Sequence, residues 1–123
     1  MTVFTNAKIV DVIEGRILNH DAVRVDRNGK ITSVGESIRL TSSLDKGEEV
    51  IDLGGRYLFP GLISCHTHLS VVFPFSLTDP NENPAVTAYR SAQRASEALK
   101  AGITTLRSVH EQHQADLMLR AAA

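Results

Sequence analysis

Short apolar runs broken by turn residues mark the first third of the chain. Thr2–Val12 carries Val3, Ile9, Val10 and Val12 among polar neighbours. Ala22–Val25 and Ile31–Val34 are β-prone runs, with Asp26-Arg27-Asn28-Gly29 between them. Asn-Gly between two such runs is the strongest short hairpin signal. Residues 36–49 are polar and hold Ser42, Ser43 and Gly47, which predicts a loop. The stretch EVIDLGGRYLFPG predicts a strand, a Gly54-Gly55 turn and a short strand reaching Pro60. Taken alone, this region reads as a small β module without chemistry.

The pattern changes after Pro60-Gly61. Leu62–Leu69 has no clean alternation of polar and apolar positions, which suits a parallel strand buried on both faces. Residues 70–84 form a long loop with three prolines and two phenylalanines, Phe73 and Phe75. A helix follows. Asn83 suits its N-cap and Pro84 its first position. Ala85, Ala88, Tyr89, Ala92, Ala95 and Leu99 recur at helical spacing and predict the buried stripe, and Gly102 is the expected stop. ITTLRSV predicts a second strand, and QADLMLRAAA the start of a second helix. The order strand, loop, helix, strand, helix is a βαβ unit, whose strands run parallel. Two such strands cannot bury both their faces, so the order suggests the opening of a larger α/β barrel. A (β/α)₈ barrel takes about 250 residues, and this chain has room for about a quarter of one.

Composition narrows the partners. The 123 residues carry a formal net charge of −1, so no broad basic surface for nucleic acid or an anionic membrane is implied. A single cysteine cannot form an internal disulfide. With no secretory signal pattern at the N-terminus, a cytoplasmic location is expected. No apolar stretch approaches the roughly 20 residues of a membrane span.

The candidate chemistry lies in GLISCHTHLS, Gly61–Ser70. In a strand, residues i and i+2 point to one side, so His66 and His68 can converge on one ion. Cys65 and Thr67 point the other way, and Cys65 reads as a small buried hydrophobe. An H-x-H alone is a weak signal. Its place at the C-terminal end of a barrel-like strand strengthens it, because parallel α/β folds build their chemistry there. His110, Glu111 and His113 follow the second strand. His110 and His113 would share a face if helical. The run HEQH is not the H-E-x-x-H pattern, and it reads as a solvated helix start.

IDLGGRYLFPGLISCHTHLS resembles the signature of the metal-dependent amidohydrolase superfamily, through Pro60, Gly61, Leu62, Ile63, His66 and His68. LKAGITTLRSV is similar to a segment on that family's second barrel strand, through Ala101, Gly102, Thr104, Thr105 and Arg107. Ser64 and Ser108 stand where the family has or often has Asp. The flavour is that of the imidazolonepropionase-like and prolidase-like branch. The resemblance covers the whole chain but only the opening part of a full family member.

The resemblance implies an α/β fold: a small β-sandwich segment over residues 1–59, then the first strands and helices of an incomplete (β/α)₈ barrel over 60–123. It implies His66 and His68 as ligands of a divalent metal, zinc by default, with one or two ions in a complete site. The implied reaction is hydrolysis of a C–N bond, in a cyclic amide or an Xaa-Pro-like dipeptide, by metal-activated water. Two histidines fall short of the three protein ligands usual for catalytic zinc. The expectation is therefore an N-terminal fragment or subunit, completed by a complementary barrel chain or by self-association. The alternative expectation is an inactive truncated remnant or a small interaction module.

Overall fold

The computed structural model describes residues 1–44 and 46–123. The chain folds as two compact units, Met1–Pro60 and Gly61–Ala123.

The first unit holds two small sheets. Strands β1 (Thr2–Thr5), β4 (Ala22–Val25), β5 (Ile31–Gly35) and β6 (Glu49–Asp52) form one, in the order β5-β4-β1-β6. Strands β2 (Lys8–Asp11), β3 (Arg16–Ile17) and β7 (Tyr57–Leu58) form the other, in the order β3-β2-β7. β4 and β5 are antiparallel, joined by the expected Asn-Gly turn, with Gly29 at φ 77°. That left-handed conformation is what glycine supplies at no steric cost. The chain changes sheets twice in parallel. β1 passes into β2 through Asn6 (φ 52°), and β6 into β7 through Gly54 and Gly55 (φ 59° and 76°). Asp52 ties the two crossings together, accepting from Asn6 Nδ2 at 3.0 Å and from the Gly54 N–H at 2.7 Å. Ala7, Ile9 and Val23 form the core, with Leu18, Val25, Leu53 and Leu58 packed around it.

A helix, α1 (Ser37–Ser42), occupies part of the stretch expected to be loop; Asp45 of that stretch lies outside the described residues. None of its residues is buried, so apolar periodicity gives no sign of it. Its two ends are held by residues of the β4 region. Asp21 accepts the Ser37 N–H and hydroxyl, both at 2.7 Å, and these bonds hold its carboxyl below the usual carboxylate range. Arg24 Nη2 donates to the Leu40 carbonyl at 2.7 Å and to the Ser43 carbonyl at 3.2 Å. A carboxylate at the N-terminus and a cation at the C-terminus satisfy free backbone groups and complement the helix dipole.

The second unit is β8 (Leu62–Thr67), α2 (Pro84–Lys100), β9 (Ile103–Ser108) and α3 (Ala115–Ala122). β8 and β9 are parallel, and their register is irregular between Ser64 and Thr67. Gly61 is fixed by close approach. A Cβ there would lie 2.1 Å from Thr104 Oγ1 and 2.7 Å from its Cβ. α2 begins as expected, with Asn83 Oδ1 accepting the Ala85 N–H at 2.9 Å and Pro84 at the first turn. It stops at Gly102, whose φ is 86°.

The expected alanine stripe is not the buried face of α2. The buried residues are Thr87 and Ser91, while Ala85, Tyr89, Ala92 and Leu99 are exposed. The physical reason lies in what α2 covers. Leu69, Ser70 and Val71 are 5%, 0% and 0% exposed, so their backbone groups need partners inside the protein. Arg90 Nη1 donates to the Ser70 carbonyl at 2.7 Å. Arg94 Nη1 donates to the carbonyls of Leu69 and Val71, at 2.9 and 2.5 Å. A helix face that packs on bare peptide groups is polar.

Candidate metal-binding site

His66 lies near the end of β8 and His68 just beyond it. The irregular register falls between Ser64 and Thr67, and such irregularities re-aim side chains next to functional sites. The two imidazoles meet edge to face, with ring centroids 5.0 Å apart and Nε2 atoms 3.2 Å apart. His68 Nδ1 lies 3.2 Å from the carbonyl oxygen of His110. A carbonyl can only accept, so Nδ1 carries the proton and Nε2 presents its lone pair toward His66.

This arrangement fits a divalent metal. Two nitrogens at about 2.0–2.1 Å from a tetrahedral zinc sit about 3.3 Å apart. The observed 3.2 Å between Nε2 atoms matches that bite. A hydrogen bond on the far ring nitrogen is the usual way a ligating histidine is oriented. Among the described residues, no group of three histidine, cysteine or carboxylate side chains is gathered to hold an ion. The pair by itself offers two nitrogen donors, one fewer than the three protein ligands usual for a catalytic zinc.

Glu111 braces this pair, a role that the sequence reading missed. Its carboxylate accepts the N–H groups of Leu69 at 2.7 Å and Ser70 at 2.6 Å, and the hydroxyls of Ser70 and Ser108. Burial pushes the Glu111 carboxyl up, but the bonds from Ser108, Ser70 and the two N–H groups outweigh burial and hold it below its ordinary value. The available signal was the pairing of Ser108, which stands where a carboxylate is expected, with a glutamate three residues later. Ser64, the other departure, donates to the His66 carbonyl at 3.3 Å.

Aromatic rings line one side of the pair. Phe73 and Phe75 lie 6.2 and 6.1 Å from the His68 ring, and 5.7 Å from each other. The His110 ring lies 6.1 Å from Phe75. Both phenylalanines are more than half exposed, 61% and 52%.

Two expectations are corrected. His110 and His113 do not share a helix face. His110 lies between β9 and a short 3₁₀ turn (Gln112–Gln114), and His113 and Gln114 take left-handed backbone angles, φ 53° and 55°. Those angles turn the chain sharply before α3, and His110 reaches the site through its carbonyl. Cys65 is exposed, not buried; α2 lies against β9 and residues 69–71.

Comparison with known proteins bears on the family and the fold. The amidohydrolase family's sequence model matches residues 57–123. The imidazolonepropionase of Rhizobium rhizogenes is 40% identical over 67 residues, covering 54% of this chain and 16% of the relative. The adenine deaminase of Dehalococcoides mccartyi is 40% identical over 67 residues, covering 54% of this chain and 10% of the relative. In structure, a candidate prolidase from Bifidobacterium longum superposes with a TM-score of 0.76 at 27% identity, over 98% of this chain and 26% of that protein. The chain therefore spans about a quarter or less of each of these proteins. Its α/β architecture is that of the corresponding part of an amidohydrolase, and the chain belongs to the amidohydrolase family.

Proposed function

We propose that this chain supplies the first metal-binding strand of a C–N hydrolase, with His66 and His68 as two of the ligands. The observation that carries this reading is the convergence of their Nε2 atoms to 3.2 Å. A bound divalent ion, zinc by default, would polarise the scissile carbonyl and acidify a water. The chain's own residues prepare the place. His66 and His68 present the nitrogens, the His110 carbonyl fixes the His68 tautomer, and Phe73 and Phe75 shield one side from water. The substrate class on this reading is a cyclic amide or an Xaa-Pro-like dipeptide, in keeping with the relatives named imidazolonepropionase and prolidase.

The remaining ligands and the general acid–base would come from segments matching the rest of the relatives' length. Leu62 and Ile63 on β8 are about half or more exposed, and an apolar groove between α2, β9 and α3 is open, lined by Leu69, Leu99, Ile103, Leu106 and Leu119. Further barrel strands and helices would cover these surfaces. The test assembles this chain with a second chain carrying those segments. Metal content and hydrolysis of cyclic-amide and Xaa-Pro substrates are then measured for the wild type, His66→Ala and His68→Ala. Loss of both properties in either variant is expected. Unchanged metal content and hydrolysis in His66→Ala would defeat the reading.

A second reading, a non-catalytic interaction module, draws on one observation: among the described residues no third side chain completes the ligand set. Hydrogen exchange and sizing of the chain separate the two. A compact monomer with protected amides in residues 62–69 and 103–109 counts against a self-associating module.

A further inference from the structure

The segment just after His68 is held from both sides by charged groups. Arg90 and Arg94 take the three carbonyls of residues 69–71, and Glu111 takes the N–H groups of Leu69 and Ser70. Glu111 also binds the hydroxyl of Ser108, the last residue of β9, and Ser70 Oγ accepts the Gln112 N–H at 2.9 Å. The turn after β9 is thereby pinned to the chain leaving β8. His110 lies within that pinned turn, and its carbonyl is the acceptor for His68 Nδ1.

We infer that Glu111 is a positioning residue: by clamping residues 69–70 to the 108–112 turn, it holds the His110 carbonyl on His68 Nδ1 and so keeps His68 Nε2 free as a donor atom. The inference rests on the proposed role of the histidine pair. Its chemistry is indirect, since Glu111 touches neither imidazole. A single carboxylate with four donors on it, three from Leu69 and Ser70 and one from Ser108, joins two chain segments distant in sequence. Hydrogen bonds to a charged acceptor are the stronger kind, which suits a brace. The Gln112 N–H to Ser70 Oγ bond at 2.9 Å and the Val109 N–H to Thr67 carbonyl bond at 3.3 Å also tie the two segments, but Glu111 supplies the charged acceptor among these ties, and an unrestrained imidazole favours the proton on Nε2.

The test reads the tautomer directly in this 123-residue chain without metal, by long-range ¹H–¹⁵N correlation of the histidine rings above the imidazole titration range. Single-histidine variants assign the signals. Wild type is expected to show His68 protonated on Nδ1. Glu111→Ala is expected to move the majority of His68 to the Nε2–H form, while His20, in the other unit, keeps its wild-type pattern. Should Glu111→Ala fail to fold, Glu111→Gln decides. It keeps the size and one accepting oxygen, and is expected to shift the ratio in the same direction by less. A His68 that is not an Nδ1–H tautomer in wild type, or one whose ratio is unchanged in a folded Glu111 variant, overturns the inference. Because no metal is present, the result is independent of whether the pair then takes up an ion.

Discussion

His68 donates its Nδ1–H to the carbonyl oxygen of His110, 3.2 Å away. The contact uses the backbone of residue 110, so the identity of its side chain is secondary to the bond. His110→Ala is predicted to leave His68 in the Nδ1–H form by ring ¹⁵N spectroscopy. A switch to the Nε2–H form would show that the His110 ring, through its packing on Phe75, sets the orientation instead.

Gly61 has no space for a side chain. A Cβ would stand 2.1 Å from Thr104 Oγ1 and 2.4 Å from its Cγ2, and a β-branched strand residue has no flexible end to move aside. Gly61→Ala is therefore predicted to cost about 1–3 kcal/mol, the range of overpacked sites. Urea denaturation measures it. Adding Thr104→Gly should restore most of the loss, and a failure to do so would place the strain elsewhere.

Arg94 satisfies two carbonyls of the buried 69–71 segment. Removing the donor leaves acceptors without partners, which costs about 1–3 kcal/mol. Arg94→Ala is predicted to destabilise by that amount and to raise amide exchange in residues 69–72. An exchange pattern identical to wild type would contradict the assigned role.

Acid should loosen the brace. The Glu111 carboxyl is held below its ordinary value of 4.5 in the folded chain. A group with a lowered folded-state value contributes stability above its unfolded value, and that contribution disappears as pH falls through the folded one. The wild-type urea midpoint is predicted to fall from about pH 5 downward. Glu111→Gln lacks that component, so the gap between the two proteins should narrow in acid. Asp21, Asp52 and Glu82 are also held low and titrate in both proteins alike, which makes the difference the informative quantity.

The sequence showed these features unevenly, for physical reasons. The Asn28-Gly29 hairpin, the Asn83-Pro84 helix start and the β8–α2–β9 order all rest on local signals, and all are present. That His66 and His68 meet was legible from their i, i+2 spacing, although His68 lies just beyond β8 and the irregular register before it was not. Helix α1 was hidden because its ends are fixed by Asp21 and Arg24, 16 residues away from their partners Ser37 and Leu40. The polar underside of α2 was hidden because Arg90 and Arg94 bond the carbonyls of residues 69–71, while the buried Thr87 and Ser91 hydroxyls bond Glu82 and the helix's own Thr87 carbonyl, whereas periodicity searches for apolar contacts. Glu111 was hidden for a related reason: its partners at 69 and 70 are brought near only when β8 and β9 pair.

The central claim is that His66 and His68 form one edge of a metal site through their Nε2 atoms. Titrating Zn²⁺ into the chain while following the ring ¹⁵N signals of its five histidines tests it most directly. The account predicts that the Nε2 signals of His66 and His68 move together, with Nδ1 of His68 still protonated, and that His66→Ala abolishes the response at His68. A response centred on His20, His110 or His113, or coordination through Nδ1 of His68, would contradict it.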